Sequence, residues 1–138
     1  MSDMVAPSLF TVMCIDDNVM LVDALERRLA LEPGFGRFYR VDAFVNAADA
    51  VAEAQPDVVL LDIDLPGGVD AVELLAELVQ RTPQSRVIVF TGHPQGELVS
   101  RTMGLGAWGF VSKGIPSDRL IDAIRHVAGG EAVIELED

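Results

Sequence analysis

The sequence predicts an α/β protein: five parallel strands in one sheet, with helices packed on both faces. Three observations lead there. Short apolar runs alternate with segments of helical period along the chain. The clearest run, Val58 to Leu61, is apolar at every position, as a strand covered on both faces must be. The length of 138 residues, half of them apolar, suits one domain with a full core.

The elements follow in order. Leu9 to Ile15 reads as the first strand and ends in Asp16 and Asp17. Val19 to Leu31 places Leu21, Leu25 and Leu29 on one helical face, and Pro33-Gly34 stops it. Phe38 to Phe44 reads as a weaker strand. Ala47 to Ala54 is a short alanine-rich helix closed by Pro56. Val58 to Leu61 runs into Asp62 and a Pro66-Gly67-Gly68 turn. Val69 to Arg81 is the third helix, with Pro83 beyond it. Arg86 to Phe90 is a strand ending at Thr91. Gly96 to Met103 is a helix with few core positions. Ala107 to Val111 is a strand leading to Lys113. Pro116-Ser117-Asp118 then opens a last helix, Arg119 to Ala128.

Five strand-helix units with right-handed crossovers fit a flavodoxin-like (βα)5 three-layer sandwich, strand order 2-1-3-4-5. Residues 1–8 are expected as a flexible N-terminus, 9–130 as the domain, and 131–138 as a C-terminal tail or truncated linker.

The noteworthy polar residues all fall at strand ends: Asp16 and Asp17, Asp62, Thr91 and Lys113. In an open parallel sheet, ligands bind beyond the carboxyl ends of the strands, where strand order reverses. In the order 2-1-3-4-5 that point lies between the first and third strands, which carry the three aspartates. Two carboxylates ~4 Å apart repel by about 4 kcal/mol at an effective dielectric near 20. A cation among them offsets that cost. An oxygen-only donor set suits Mg2+, or Mn2+. Lys113 adds a fixed positive charge, and Thr91 a hydroxyl. The set fits phosphoryl transfer, with Asp62 as the nucleophile on the central strand and Asp16 and Asp17 as metal residues.

Four pieces in order, "CIDDN", "VVLLDIDLPGG", "VIVFTG" and "GAWGFVSKG", make the chain resemble the receiver domain of bacterial two-component response regulators. The resemblance covers nearly the whole chain, and "GFVSKG" resembles the NarL/FixJ-like branch. It implies that Asp62 accepts a phosphoryl group from a sensor histidine kinase or phosphotransfer protein, forming an aspartyl phosphate. It implies that Asp17 and Asp62 bind Mg2+ directly, Asp16 through water, and the backbone carbonyl of Asp64 completes the set. Lys113 would hold one phosphoryl oxygen and Thr91 would move to hold another. Phe110 takes the switch aromatic position and would turn inward when Thr91 moves. Output would run through the face made by the fourth helix, fifth strand and fifth helix. Many receivers have Lys-Pro where this chain has Lys113-Gly114, so a cis bond is not expected. Asp64 and His93, each two residues past a site residue, are expected to tune hydrolysis.

Other readings bound this one. The net charge of −12 argues against direct nucleic-acid binding and against a polybasic membrane anchor. No signal region or membrane-length apolar run occurs, and a cytoplasmic protein is expected. Cys14, the single cysteine, reads as a buried, inert thiol. His126 reads as a solvated helix residue, Asp70 and Asp118 as helix-start residues, and Trp108 as packing or a partner contact. The rival enzyme reading is a haloacid-type phosphatase, from the Asp-x-Asp in "DIDLP", but there the acidic pair follows the lysine. A degenerate receiver that only binds is a further rival. "AIRHVAGGEAVIELED" resembles the last helix and linker of regulators that continue into a LuxR-type helix-turn-helix. The receiver part of a transcriptional regulator is the expectation, with a stand-alone receiver as the alternative and homodimerisation on phosphorylation open.

Overall fold

A computed structural model describes residues 9–41 and 44–137. The strands are β1 (Phe10–Ile15), β2 (Phe35–Arg40), β3 (Val58–Leu61), β4 (Arg86–Thr91), β5 (Gly109–Ser112) and β6 (Val133–Glu135). The helices are α1 (Val19–Leu29), α2 (Ala47–Ala54), α3 (Ala71–Arg81), α4 (Gly96–Gly104) and α5 (Ser117–Ala128). All strands pair in parallel, in the order β2-β1-β3-β4-β5-β6. The flavodoxin-like sandwich is thus present, with one strand more than the sequence suggested.

Local chemistry sets the element ends. Asn18 caps α1: its side-chain oxygen accepts from the Leu21 N–H at 3.1 Å. Asp70 caps α3, accepting from the amides of Val72 and Glu73 at 3.0 and 3.1 Å. The helix-start reading of Asp70 therefore holds. Asp118, in the first turn of α5, also pairs with Arg28 at 3.0 Å.

One core lies on each sheet face. Met13, Ile15, Val59, Leu61, Val87, Val89 and Phe110 pack against α2 and α3. Val12, Cys14, Val58, Leu60, Ile88, Phe90 and Val111 pack against α1 and α5. Alternate residues of β1, β3, β4 and β5 serve opposite cores, which is why these strands read as unbroken apolar runs.

Helix ends shift by up to two residues from the sequence reading, and three differences concern the strands. β2 begins at Phe35, because Gly34 (φ +83°) turns the chain at once onto β1, where its carbonyl accepts from Phe10 N–H at 2.9 Å. The Phe35 ring then meets Phe10 edge-on at 5.7 Å. Phe44, expected in that strand, starts a short 3-10 turn, Phe44–Asn46, while Asp42 and Ala43 lie outside the described residues. β5 starts at Gly109 because the Ala107 amide still bonds the Thr102 carbonyl of α4. The third difference lies after α5: within the expected tail 131–138, Val133–Glu135 pairs with Gly109–Val111 as β6. The expected flexible N-terminus, 1–8, lies outside the described residues, as does Asp138. No described helix is long and apolar enough to cross a membrane.

Candidate functional site

β1 and β3 are neighbours, in register from Val12↔Val58 to Ile15↔Leu61. The residues just past their ends are therefore side by side, and the Asp62 amide bonds the Ile15 carbonyl at 3.0 Å. Each of Asp16, Asp17 and Asp62 offers a carboxylate oxygen, and these oxygens all lie within 4.8 Å of one another. Asp16 and Asp62 are buried, and Asp17 is exposed. The trio is thus a charged floor with one solvent-facing member.

Turns hold the carboxylates in place. Asp16 Oδ1 accepts from the Asn18 N–H at 2.9 Å, and Asp62 Oδ1 from the Asp64 N–H at 3.1 Å. Each thus keeps its Oδ2 for the site. Lys113 Nζ lies 2.7 Å from Asp16 Oδ2 and 3.4 Å from Asp62 Oδ2. The Asp16 contact is close as an ion pair but poorly directed, so buried Oδ2 has no well-formed hydrogen bond. Burial of an under-coordinated carboxylate oxygen is costly, and a second cation relieves it. The donors are all oxygen and the trio is compact, so the cluster is able to chelate a divalent metal ion.

Electrostatics follows from this packing. Burial raises the Asp62 carboxyl above its ordinary value, and the Asp16 charge adds to that. The Asp64 amide and Lys113 pull the other way without reversing it. Burial works to lower Lys113, but the Asp16 and Asp62 carboxylates prevail and hold it above its usual value. Cys14, just beneath, is pushed up to about 12, chiefly by burial, which fits the expected inert thiol.

The remaining sequence-predicted residues fall into three places. A mouth of about 490 Å3 is lined by Asp17, Asn18, Asp62, Asp64, Gly92, His93 and Lys113. Asp64 and His93 sit on its rim, with His93 Nδ1 3.3 Å from Asp64 Oδ2, bridging two site loops. Thr91 is fully buried behind the mouth. Its hydroxyl accepts from the His93 N–H at 3.1 Å, and its carbonyl accepts from the Lys113 N–H at 2.8 Å. Phe110 is 0% exposed while Thr91 still accepts from the His93 amide, so the ring is already inward, whereas the resemblance implies an inward turn only when Thr91 moves. The ring packs in the core bordered by Leu98, Val99 and Met103 of α4. His126 is exposed, as expected. Trp108 is half-buried beneath Arg86, whose guanidinium lies 4.7 Å from the ring centre. No cis peptide occurs among the described residues.

Sequence reasoning missed four contributors. Asn18 was legible, since Asn before an apolar helix is a cap signal. Phe90, whose ring lies 5.6 Å below Lys113 Nζ, carried no signal beyond being apolar. Ser112, a buried hydroxyl in an apolar strand, should have prompted a search for a partner. That partner, Glu137 at 2.9 Å, is remote in sequence and left no trace.

The chain matches the family model of the response regulator receiver domain over residues 12–125. The transcriptional regulatory protein DegU of Brevibacillus brevis is 34% identical over 134 residues, covering 97% of this chain and 56% of DegU. The transcriptional regulatory protein MctR of Rhizobium johnstonii is 39% identical over 121 residues, 86% of this chain and 55% of MctR. The chain thus spans about half the length of these relatives. A LuxR-family two-component response regulator from Aurantimonas sp. SI85-9A1 superposes with a TM-score of 0.83 at 25% identity, covering 91% of this chain and 89% of that one. The signal receiver domain of NarL from Mycobacterium tuberculosis gives 0.82 at 25% identity, covering 91% and 100%. Sheet order, site placement and these likenesses agree, and the chain belongs to the response regulator receiver domain family.

Proposed function

We propose that this chain is a phosphorylation-dependent switch in which Asp62 is the acceptor. The observation that carries the reading is the meeting of Asp16, Asp17 and Asp62 within 4.8 Å at the sheet's switch point, with Lys113 on two of them. An Asp62 oxygen attacks the phosphorus of a phosphohistidine on a sensor histidine kinase or phosphotransfer protein. The P–N bond breaks and the imidazole leaves with the electron pair. Later attack by water on phosphorus frees inorganic phosphate and restores the carboxylate. Asp17, Asp62 and the Asp64 carbonyl would hold Mg2+ directly, and Asp16 through water. Bound there, the ion supplies neutralising charge at the phosphoryl oxygens. Lys113 holds one phosphoryl oxygen. Thr91 exchanges its bond from the His93 amide for another.

The output proposed is a change in protein contacts across α4, β5 and α5. Phosphorylation adds about −1.5 to −2 charges, and Thr91 and Lys113 meet that charge only when it is present. We read the receiver as signalling through its own surface. In support, the segment after α5, which would serve as a linker, pairs with the sheet as β6. A second reading, the receiver part of a transcriptional regulator, draws on the descriptions of DegU and MctR. A helix-turn-helix pattern in the reading frame beyond Asp138 would favour that second reading. The phosphatase reading is disfavoured, since the acidic pair Asp16-Asp17 comes before Asp62 and Lys113 rather than after the lysine.

The test is intact-mass analysis with Mg2+ and acetyl phosphate. One phosphoryl group per chain is expected, and none in Asp62→Asn. Equal uptake by the variant would place the nucleophile elsewhere.

A further inference from the structure

After α5 the chain reverses at Gly129-Gly130, with Gly130 at φ +92°, and runs as a strap along β5. Its start is fixed by Arg86, which donates to the Val127 and Ala128 carbonyls at 3.2 and 3.0 Å. The Trp108 carbonyl accepts from the Val133 N–H at 3.0 Å, and β6 then pairs with β5. Arg119 holds Glu135 through Nε at 2.8 Å. At the far end the Ser112 hydroxyl donates to Glu137 Oε1 at 2.9 Å and accepts from the Gly114 N–H at 3.1 Å.

The far end matters because Ser112 and Gly114 flank Lys113. The strap thus grips the chain on both sides of Lys113, whose ammonium contacts both Asp16 and Asp62. Gly114 makes this closure possible: a Cβ there would overlap the Glu137 carboxylate. Proline at 114 would also remove the N–H that Ser112 receives. The departure from Lys-Pro therefore has a local cause.

We propose that the strap, Glu131 to Glu137, positions Lys113 while docked and is released from β5 when a phosphoryl group occupies Asp62. This rests on the proposed phosphorylation of Asp62. A phosphoryl group draws the Lys113 ammonium away from Asp16, and Ser112 and Gly114 move with it. The strap carries Glu131, Glu135 and Glu137 and no basic residue. Glu137 is held by a neutral hydroxyl, so added negative charge nearby opposes docking. Linkage makes the effect reciprocal: a loosened strap favours the occupied site by the same factor.

The test uses the full chain with Mg2+ and beryllium fluoride, a phosphoryl mimic whose binding is followed by 19F NMR. Amide hydrogen exchange is read in β6. Bound mimic should speed β6 exchange about tenfold. Glu137→Ala, Ser112→Ala and Gly114→Ala should exchange fast without the mimic and bind it about tenfold more tightly. Asp70→Ala, which weakens α3 far from the strap, should leave affinity unchanged. Bound mimic with unaltered β6 exchange overturns the coupling while leaving Asp62 as acceptor. So do loosened variants with unaltered affinity. Failure of both mimic binding and phosphoryl uptake overturns the acceptor reading, and the strap's coupling with it.

Discussion

A buried carboxylate held next to another is a standing cost, and Asp62 bears it. Its carboxyl is raised by burial and by Asp16, so the folded state binds its proton more tightly than the unfolded state. Stability contributed by this group therefore falls as pH rises from the ordinary carboxylate value through the raised one. Asp62→Asn should stabilise the metal-free fold by about 1 kcal/mol, or roughly 3–5 °C in melting temperature. The gain should be largest at neutral pH and shrink in mild acid; a gain that does not change with pH would deny the electrostatic cause. Mg2+ should raise the wild-type melting temperature and move that of Asp62→Asn less. Lys113 has the opposite sign. Held above its ordinary value by Asp16 and Asp62, it contributes stability that is present below its unfolded value and lost above the folded one. Lys113→Met should cost about 1–2 kcal/mol by denaturant titration, with Mg2+ restoring part of it. Asp16, Asp17, Asp62 and Lys113 were legible because strand ends in a parallel sheet converge. Ser112 and Glu137 were not, since nothing local ties residue 112 to residue 137.

Among elements, α4 is the weakest link. Thr102 is its one buried residue, whereas α3 buries Ala71, Leu74, Leu75 and Leu78. Gln95, preceding α4, makes no side-chain cap bond, unlike Asp70 before α3. Fewer apolar contacts mean a lower opening free energy. Amides of α4 should exchange at least tenfold faster than those of α3, and equal protection would remove α4 as the mobile part of the switch. Removing the α3 cap with Asp70→Ala should cost about 1 kcal/mol in a denaturant melt. The sequence marked β3 and α2 to the residue, because apolar runs and alanine-rich segments bounded by Pro56 leave little choice. β2 slipped because an edge strand rich in Gly36, Arg37 and Arg40 has no strong alternation. β6 escaped notice because three residues after a glycine pair resemble a tail, and only the free edge of β5 makes them a strand.

Over the whole molecule, fold and chemistry share one cause. The order β2-β1-β3 forces Asp16 and Asp17 against Asp62, and the pairing of β4 with β5 brings Lys113 to the Thr91 carbonyl. A parallel sheet covered on both faces leaves its carboxyl edge as the natural place for charge, and the chain puts three acids and a lysine there. That arrangement could be anticipated from element order alone. The inward Phe110 could not, since a buried aromatic in a strand looks the same in either state of a switch. Reductive trapping with borohydride speaks to this most plainly. It converts an aspartyl phosphate to homoserine, and peptide sequencing locates the change. After treatment with acetyl phosphate and Mg2+, homoserine should stand at position 62 and nowhere else. Homoserine at another aspartate, or a phosphoryl group that resists borohydride, would contradict the site described here.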